Sequence, residues 1–221
     1  MKLALFDLDN TLLPIDSDHG WSQFLINKGV LDRADFEARN NQFFADYKAG
    51  TLNIDEFLDF QLRPLRDNKR TQLAVWHNEF MAEVIRPNMK ASAIELVKRH
   101  QAENAVCVII TATNSFITQP IAQAFGIEAL IATEPELVNG EYTGKVAGLP
   151  SFREGKVTRL NDWLAEKNWT MDSFESSHFY SDSINDLPLL ECVSHPVAAN
   201  PDNKLAEIAQ ARGWPVLELF K

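Results

Sequence analysis

The sequence predicts an α/β protein, a parallel, doubly wound sheet with a block of helices spliced in behind its first strand. Three observations predict it. Short apolar runs alternate with helical patterns over residues 89–221, the rhythm of a parallel sheet. Residues 14–88 break that rhythm with four successive helical patterns and no strand between them. Two of the apolar runs also end in closely spaced acids, at the strand ends where open α/β sheets bind ligands.

The first apolar run, Leu3-Ala4-Leu5-Phe6, leads into Asp7 and reads as a buried strand from Leu3 to Asp7. Trp21, Phe24, Leu25 and Lys28 then share one helical face, and Phe36, Phe43, Phe44 and Tyr47 share another before Gly50. Ile54, Phe57, Leu58 and Leu62 mark a third, and Trp76, Phe80 and Val84 a fourth that ends at Pro87. A separate helical lobe is therefore expected at 14–88, between core segments 1–13 and 89–221. A helix from Lys90 to His100 precedes the strands Val106 to Thr111 and Ala129 to Ala132. Residues 134–148 read as a small β-hairpin insertion, with Asn139-Gly140 at its turn. A helix from Lys156 to Lys167, a strand from His178 to Ser181 and a short helix from Leu187 to Cys192 follow. The strand Pro196 to Ala199 and a helix from Lys204 to Arg212, stopped by Gly213, come next. A last short strand, Pro215 to Leu219, closes the sheet's edge. Runs of Val, Ile, Leu and Ala this continuous suit strands covered on both faces.

The chain has 221 residues, 45% hydrophobic and 24% charged, as in ordinary globular proteins. Its formal charge of −10 disfavours a nucleic-acid partner, because phosphate backbones need basic patches. The longest apolar stretches, such as Ala105 to Ile110, are too short to span a bilayer. Asp7 and Asp9 fall where a signal peptide would be apolar. Cys107 and Cys192 have no metal-type or redox-type spacing, and Cys107 reads as a buried free thiol. Together these features favour a cytoplasmic protein without membrane or nucleic-acid partners. They leave its oligomeric state open.

Asp7 and Asp9 sit two apart, so a regular strand would point both carboxylates to one face. Such a pair repels, and a hard divalent cation relieves the repulsion. The plainer alternative is a strand that ends in a polar loop, with both acids in solvent. A second acidic pair lies in Tyr180-Ser181-Asp182-Ser183-Ile184-Asn185-Asp186. Alone, this segment reads as helix capping. Combined with the first pair, it makes a plausible cage for one Mg²⁺. The strand ending at Thr111 enters a turn, Ala112-Thr113-Asn114-Ser115, whose backbone amides and the Thr111 hydroxyl could hold phosphate oxygens. Those polar residues could equally cap the next helix. Lys156 follows Gly155 at a helix N-terminus, where its charge opposes the dipole and hints at an anionic partner; a solvated lysine is the ordinary alternative.

These four elements occur in the order found in the haloacid dehalogenase superfamily of phosphatases. DLDNT resembles its motif I, Thr111 in IITATN its motif II, and Lys156 its motif III. SDSINDLPLL resembles its motif IV, with Ser181 in the place of a glycine. The helices at 14–88 resemble a C1-type cap, and the whole chain resembles subfamily IB, which includes phosphoserine phosphatases and a histidinol-phosphatase branch. The resemblance implies a Rossmannoid core and a Mg²⁺-dependent phosphomonoester hydrolase acting on a small phosphorylated metabolite. It implies that Asp7 is the nucleophile that forms an aspartyl-phosphate, and that Asp9 is the general acid and base. Mg²⁺ would sit on Asp7, the Asp9 carbonyl and Asp182, with Asp186, Thr11 and Asn185 in support. Thr111, Lys156 and backbone amides near Leu8 and Ala112 would hold the phosphoryl oxygens.

Asp16 lies where phosphoserine phosphatases place an acid for the substrate amine. Asp16 or Asp18 could also simply cap the helix that carries Trp21. Phosphoserine would need a cation for its carboxylate, with Arg33, Arg39, Arg63 and Arg66 as candidates. Histidinol phosphate needs acids and aromatics instead, such as Asp16, Asp18, Trp21, Phe44, Tyr47 or Trp76. The expectation leans to histidinol phosphate, with phosphoserine as the alternative. A phosphotransferase would share every residue named. A receiver-type phospho-acceptor is disfavoured, because it carries its aspartate on an internal strand and has no helical cap.

Overall fold

The computed structural model describes residues 1–220. Its main sheet has six parallel strands in the order β3-β2-β1-β6-β7-β8. These are β1 (Lys2–Phe6), β2 (Ala105–Asn114), β3 (Ala129–Thr133), β6 (Ser176–Ser181), β7 (His195–Ala199) and β8 (Val216–Leu217). Between β3 and β6, β4 (Pro135–Val138) and β5 (Glu141–Val146) form an antiparallel hairpin. Asn139 and Gly140 at its turn both have positive φ (52° and 83°), the backbone a tight two-residue hairpin turn demands.

Alternate residues of each strand feed two cores. Ala4, Phe6, Ile109 and Tyr180 face one side, where Ala93, Leu96 and Val97 of α7 (Ala91–Ala102) and Ile117 and Ile121 of α8 (Ser115–Ala124) cover them. Leu3, Leu5, Val108, Ile110 and Phe179 face the other side. They meet Leu160 and Leu164 of α9 (Glu154–Glu166), Leu189 and Leu190 of α10 (Leu187–Leu190), and Leu205 and Ala209 of α11 (Asn203–Arg212). With both faces covered, the strands read as apolar runs rather than alternations.

Residues 14–88 hold α1 (Ser17–Asn27), α2 (Arg33–Ala49), α3 (Ile54–Gln61), α4 (Arg63–Asp67) and α5 (Arg70–Phe80), then a π-helical turn (Met81–Ile85) and α6 (Arg86–Asn88). Pro87 sits in the first turn of α6, so the helical path runs one residue past it. Ile26, Phe36, Phe43, Leu52 and Phe60 form a small core of their own. Trp21, Leu73, Phe80 and Ile85 instead join the core beneath the sheet, so α1 and α5 are bolted to the main body. The β4-β5 hairpin packs on α3 and α4. Among the described residues no helix is long and apolar enough to cross a membrane.

The strand order reverses beside β1, with β2 and β3 on one side and β6, β7 and β8 on the other. The crevice beyond the carboxyl ends of β1, β2 and β6 is therefore the place for a ligand.

Candidate active site

Each of those three strands delivers its polar residues into this crevice. β1 ends at Phe6, with the apolar run and one residue before the Asp7 end expected from the sequence. Asp7 stays in line, with its N–H donating to the Tyr180 carbonyl at 2.9 Å. The chain then folds back on itself. The Leu8 carbonyl accepts from the N–H groups of Thr11, Leu12 and Leu13, and Asn10 takes a left-handed conformation (φ 58°). This tight turn sends the chain into α1 and brings Thr11 under β6. There the Thr11 hydroxyl donates to Asp182 Oδ1 (3.2 Å) and accepts from the Asp182 N–H (3.0 Å).

Lys156 ties the floor together. Its Nζ donates to Asp7 Oδ1 and to Asp186 Oδ2, both at 2.7 Å, and the residue is 1% exposed. It is no solvated lysine, and its two carboxylate partners hold its pKa up against burial. Ser181 Oγ also donates to Asp186 Oδ2 (2.7 Å), so the serine in the expected glycine position adds a bond to the network. The helix that carries Lys156 can start there only because residue 155 is glycine. A Cβ on Gly155 would lie 2.2 Å from the Pro150 carbonyl oxygen.

Asp9 is held from two sides. The Ser17 N–H donates to Oδ1 (2.8 Å) and the Thr113 hydroxyl to Oδ2 (2.7 Å). Desolvation, then the charge of Asp16, lifts its carboxyl to about 7 against those hydrogen bonds. Asp7 is lifted to about 7 by burial, with Asp186 and Asp9 adding to it and Lys156 opposing. Burial and the charges of Asp7 and Asp186 push Asp182 well above the usual carboxylate range. Three mutually repelling acids in one dry site call for positive charge.

The donor set fits a hard cation. Asp7 Oδ2 is buried without any hydrogen-bond partner. Asp182 presents a second carboxylate from the neighbouring strand end. No group of three His, Cys, Asp or Glu side chains converges as a ready-made ion cage among the described residues. Two carboxylates and a carbonyl suit an ion that keeps several of its waters.

A narrow cavity opens above this floor. Asp7, Asp9, Thr111, Ala112 and Thr113 from the core line it, with Asp16, Asp18, His19, Asn40, Phe43, Phe44, Tyr47, Leu52, Ile54, Phe57 and Gln61 from the helical lobe and Phe152 from the segment before α9. Asp16 both caps α1, accepting from the His19 N–H at 2.8 Å, and faces the cavity. Thr111 Oγ1 accepts from the Thr113 N–H (3.2 Å), which fixes the turn after β2. Asn114 takes the capping alternative for that turn: it ends β2 and caps α8 through Oδ1. Asn185 lies below, where its Nδ2 donates to the Tyr47 carbonyl and its Oδ1 accepts from Arg153 Nε, both at 3.2 Å. Trp21 does not reach the cavity. It is fully buried against Phe24, His77, Phe80 and Phe116, and its place is the core. Trp76 likewise packs against that core and not the cavity.

Thr113, Asn40, Gln61, Phe152 and Arg153 are not singled out by the sequence, and Ser181 is singled out only as a glycine replacement, not for its bond to Asp186. Thr113 was the most legible of them, lying inside the hydroxyl-rich turn. The others reach the site from unrelated elements.

The sequence model of the haloacid dehalogenase-like hydrolase family matches residues 4–191. A histidinol-phosphatase of Neisseria meningitidis serogroup C (strain 8013) is 50% identical over 217 residues, covering 98% of each chain. A crystal structure of a protein of unknown function from Bordetella pertussis Tohama I superposes with a TM-score of 0.95 at 51% identity, covering 99% of both chains. A phosphoserine phosphatase solved as a phospho-aspartyl intermediate analogue superposes with a TM-score of 0.70 at 17% identity, covering 98% of this chain and 93% of that one, a likeness of fold.

Proposed function

The chain belongs to the haloacid dehalogenase-like hydrolases, and from that premise we propose that it is a Mg²⁺-dependent histidinol-phosphatase working through a phosphorylated Asp7. Phosphatase relatives support the reaction class. The observation that carries the substrate reading is the charge of the cavity wall. Asp16 and Asp18 line it, and among the described residues that line it there is no lysine or arginine.

Phosphoserine would bring a carboxylate up against Asp16 and Asp18; Lys48, which stacks over Phe44 (4.3 Å) and acts on Asp16, is a cation beside that wall but does not line it. None of the four arginines that could have served lines the cavity. Arg33 pairs with Glu37, and Arg66 pairs with Asp67. Arg39 lies over Phe43 and Phe60, and Arg63 over Phe36. An amino alcohol phosphate brings an ammonium and no carboxylate. Asp16 takes that ammonium, and Phe44 and Tyr47 flank the ring beyond it.

In this mechanism Lys156 holds the Asp7 carboxylate in place and offers positive charge to the phosphoryl oxygens. Asp7 attacks phosphorus, and the P–O bond to the leaving group breaks as a bond to Asp7 forms. Asp9 gives its proton to the departing alkoxide. It then takes a proton from the water that releases phosphate and restores Asp7. Asp9 lies beside the reacting bond, and desolvation and the charge of Asp16 raise its proton affinity, as the acid role needs. The Ser17 N–H and the Thr113 hydroxyl aim it. The Asp7 and Asp182 carboxylates, with the Asp9 carbonyl, would hold Mg²⁺, which supplies charge neutralisation between carboxylate and phosphate dianion. Thr11 positions Asp182, and Asp186 positions Lys156. Two free cysteines suit the reducing cytoplasm in which we place the enzyme.

The test is kcat/KM for phosphate release from histidinol phosphate and from phosphoserine, with Mg²⁺ present. The reading expects histidinol phosphate to be preferred by about 100-fold or more, the cost of leaving a carboxylate unpaired against acids. Equal rates, or a preference for phosphoserine, reject it.

A further inference from the structure

Among the polar side chains of the helical lobe that line the cavity, one stands apart. The Gln61 amide accepts from Ser22 Oγ (2.6 Å) and donates to Asn40 Oδ1 (3.4 Å). Asn40 Nδ2 donates to the His19 carbonyl (3.2 Å), and the His19 ring meets Asn41 (2.9 Å). Asp16 accepts from the His19 N–H. Asp18 lines the same cavity, is 3% exposed, and has a buried Oδ1 with no hydrogen-bond partner.

A carboxyl so placed is costly. Desolvation, then the charges of Asp16 and Asp9, raises its pKa well above the usual range, and no hydrogen bond offsets this. Its place in the first turn of α1 offers a favourable helix dipole, a small compensation for a group cut off from water. A capping acid reaches a backbone N–H, as Asp16 does, and Asp18 reaches none. Buried polar atoms left without a partner in the free protein point to a ligand that supplies one. Phe43, Phe44, Phe57 and Phe152 line the same cavity and offer aromatic surface to a flat group.

We propose that Asp18 is the specificity-determining residue for the leaving group, accepting an N–H from a cationic nitrogen heterocycle held among the cavity's aromatic rings. This rests on the histidinol phosphate reading and deepens it. Asp16 meets the ammonium next to the reacting phosphate, while Asp18 is the counter-ion of the protonated imidazole farther in. The substrate is thus recognised as a double cation on its alcohol side, one charge for each cavity acid beyond the catalytic pair. An amino alcohol phosphate of the same size with an apolar ring would leave Asp18 buried and unpaired.

The experiment compares histidinol phosphate with 2-amino-3-phenylpropyl phosphate, which keeps the amino alcohol and replaces imidazole by phenyl. The wild-type enzyme is expected to favour the imidazole compound roughly 100-fold in kcat/KM, chiefly through KM. Asp18→Asn is expected to reduce that preference to below about 10-fold, by loss on histidinol phosphate far more than on the phenyl compound. Equal loss on both substrates would make Asp18 a structural residue and overturn the proposal. If Asp18→Asn does not fold, the wild-type comparison decides alone: equal kcat/KM for the two compounds refutes it, while leaving an amino alcohol phosphatase standing. Cleavage of neither compound, with p-nitrophenyl phosphate still hydrolysed, overturns the substrate reading and this proposal with it.

Discussion

Replacing Gly155 by alanine is expected to lower kcat by about 100-fold in a protein that still folds. The added Cβ would lie 2.2 Å from the Pro150 carbonyl oxygen, whereas ordinary contact begins near 3.4 Å. Both partners are backbone, so no side chain can swing away. The start of α9 and the Pro150 segment must part by about 1.2 Å, the difference between those distances. Lys156 is the next residue, and its Nζ sits 2.7 Å from both Asp7 and Asp186. A displacement of that size breaks at least one of these bonds, because the fully buried lysine has no open space in which to re-aim. Misplacing a catalytic group by about 1 Å costs around 100-fold in rate. Overpacking of this kind destabilises by about 1–3 kcal/mol. The assay is phosphate release under saturating substrate, paired with a thermal melt. Wild-type kcat in Gly155→Ala would refute the argument that the 150–155 turn sets the position of Lys156. Loss of activity with complete unfolding would refute the claim that the effect is local.

Two further outcomes follow from single contacts. Thr113→Val removes the hydroxyl that donates to Asp9 Oδ2 at 2.7 Å. It is expected to lower kcat by about 10-fold with little change in KM, the worth of one hydrogen bond to a charged group; steady-state kinetics check this, and an unchanged kcat contradicts it. His100 packs against Phe6, and its Nε2 lies 2.8 Å from the Tyr180 hydroxyl. Burial, then the neighbouring His178, depresses its pKa from 6.5 to about 4. The unfolded chain therefore takes up a proton near pH 6.5 that the folded chain refuses until about pH 4. His100 contributes no penalty above pH 6.5, and stability falls progressively as pH drops between those values, by at most about 3 kcal/mol. Denaturant titrations of wild type and His100→Gln from pH 7 to about pH 4 should converge on the acid side. Parallel curves would show that His100 does not titrate this way.

Much of the core was legible because its strands are buried on both faces. Val106 to Thr111 could be read as a strand directly, although β2 runs on to Asn114 through a shift of register against β3. That extension has no apolar signature, since Thr113 turns to Asp9 and Asn114 caps α8. Asp7, Lys156 and Asp182 were legible as types at strand ends and a helix start. The bonds from Lys156 to Asp7 and Asp186 were not, because they join residues 149 and 30 positions apart. The aromatics of α1 and α2 sit on the same helical period whether they line a ligand cavity or a core. Trp21 and Phe44 are therefore indistinguishable by pattern, yet only Phe44 meets the cavity. Asn40 and Gln61 lie on α2 and α3 among residues of similar polarity, and only the packing of those helices turns them inward. Arg153 carries a positive φ of 50°, an arrangement a sequence gives no reason to expect outside glycine.

The central claim is that Asp7 carries the phosphoryl group and Asp9 moves the protons. It is tested most directly by acid-quenching Asp9→Asn within its first turnover on histidinol phosphate, then mapping the modification by peptide mass. The account predicts a covalent phosphoryl group on Asp7 that accumulates because its hydrolysis has lost the base, and none in Asp7→Asn. A phosphoryl group on another residue, or normal turnover by Asp7→Asn, would contradict it.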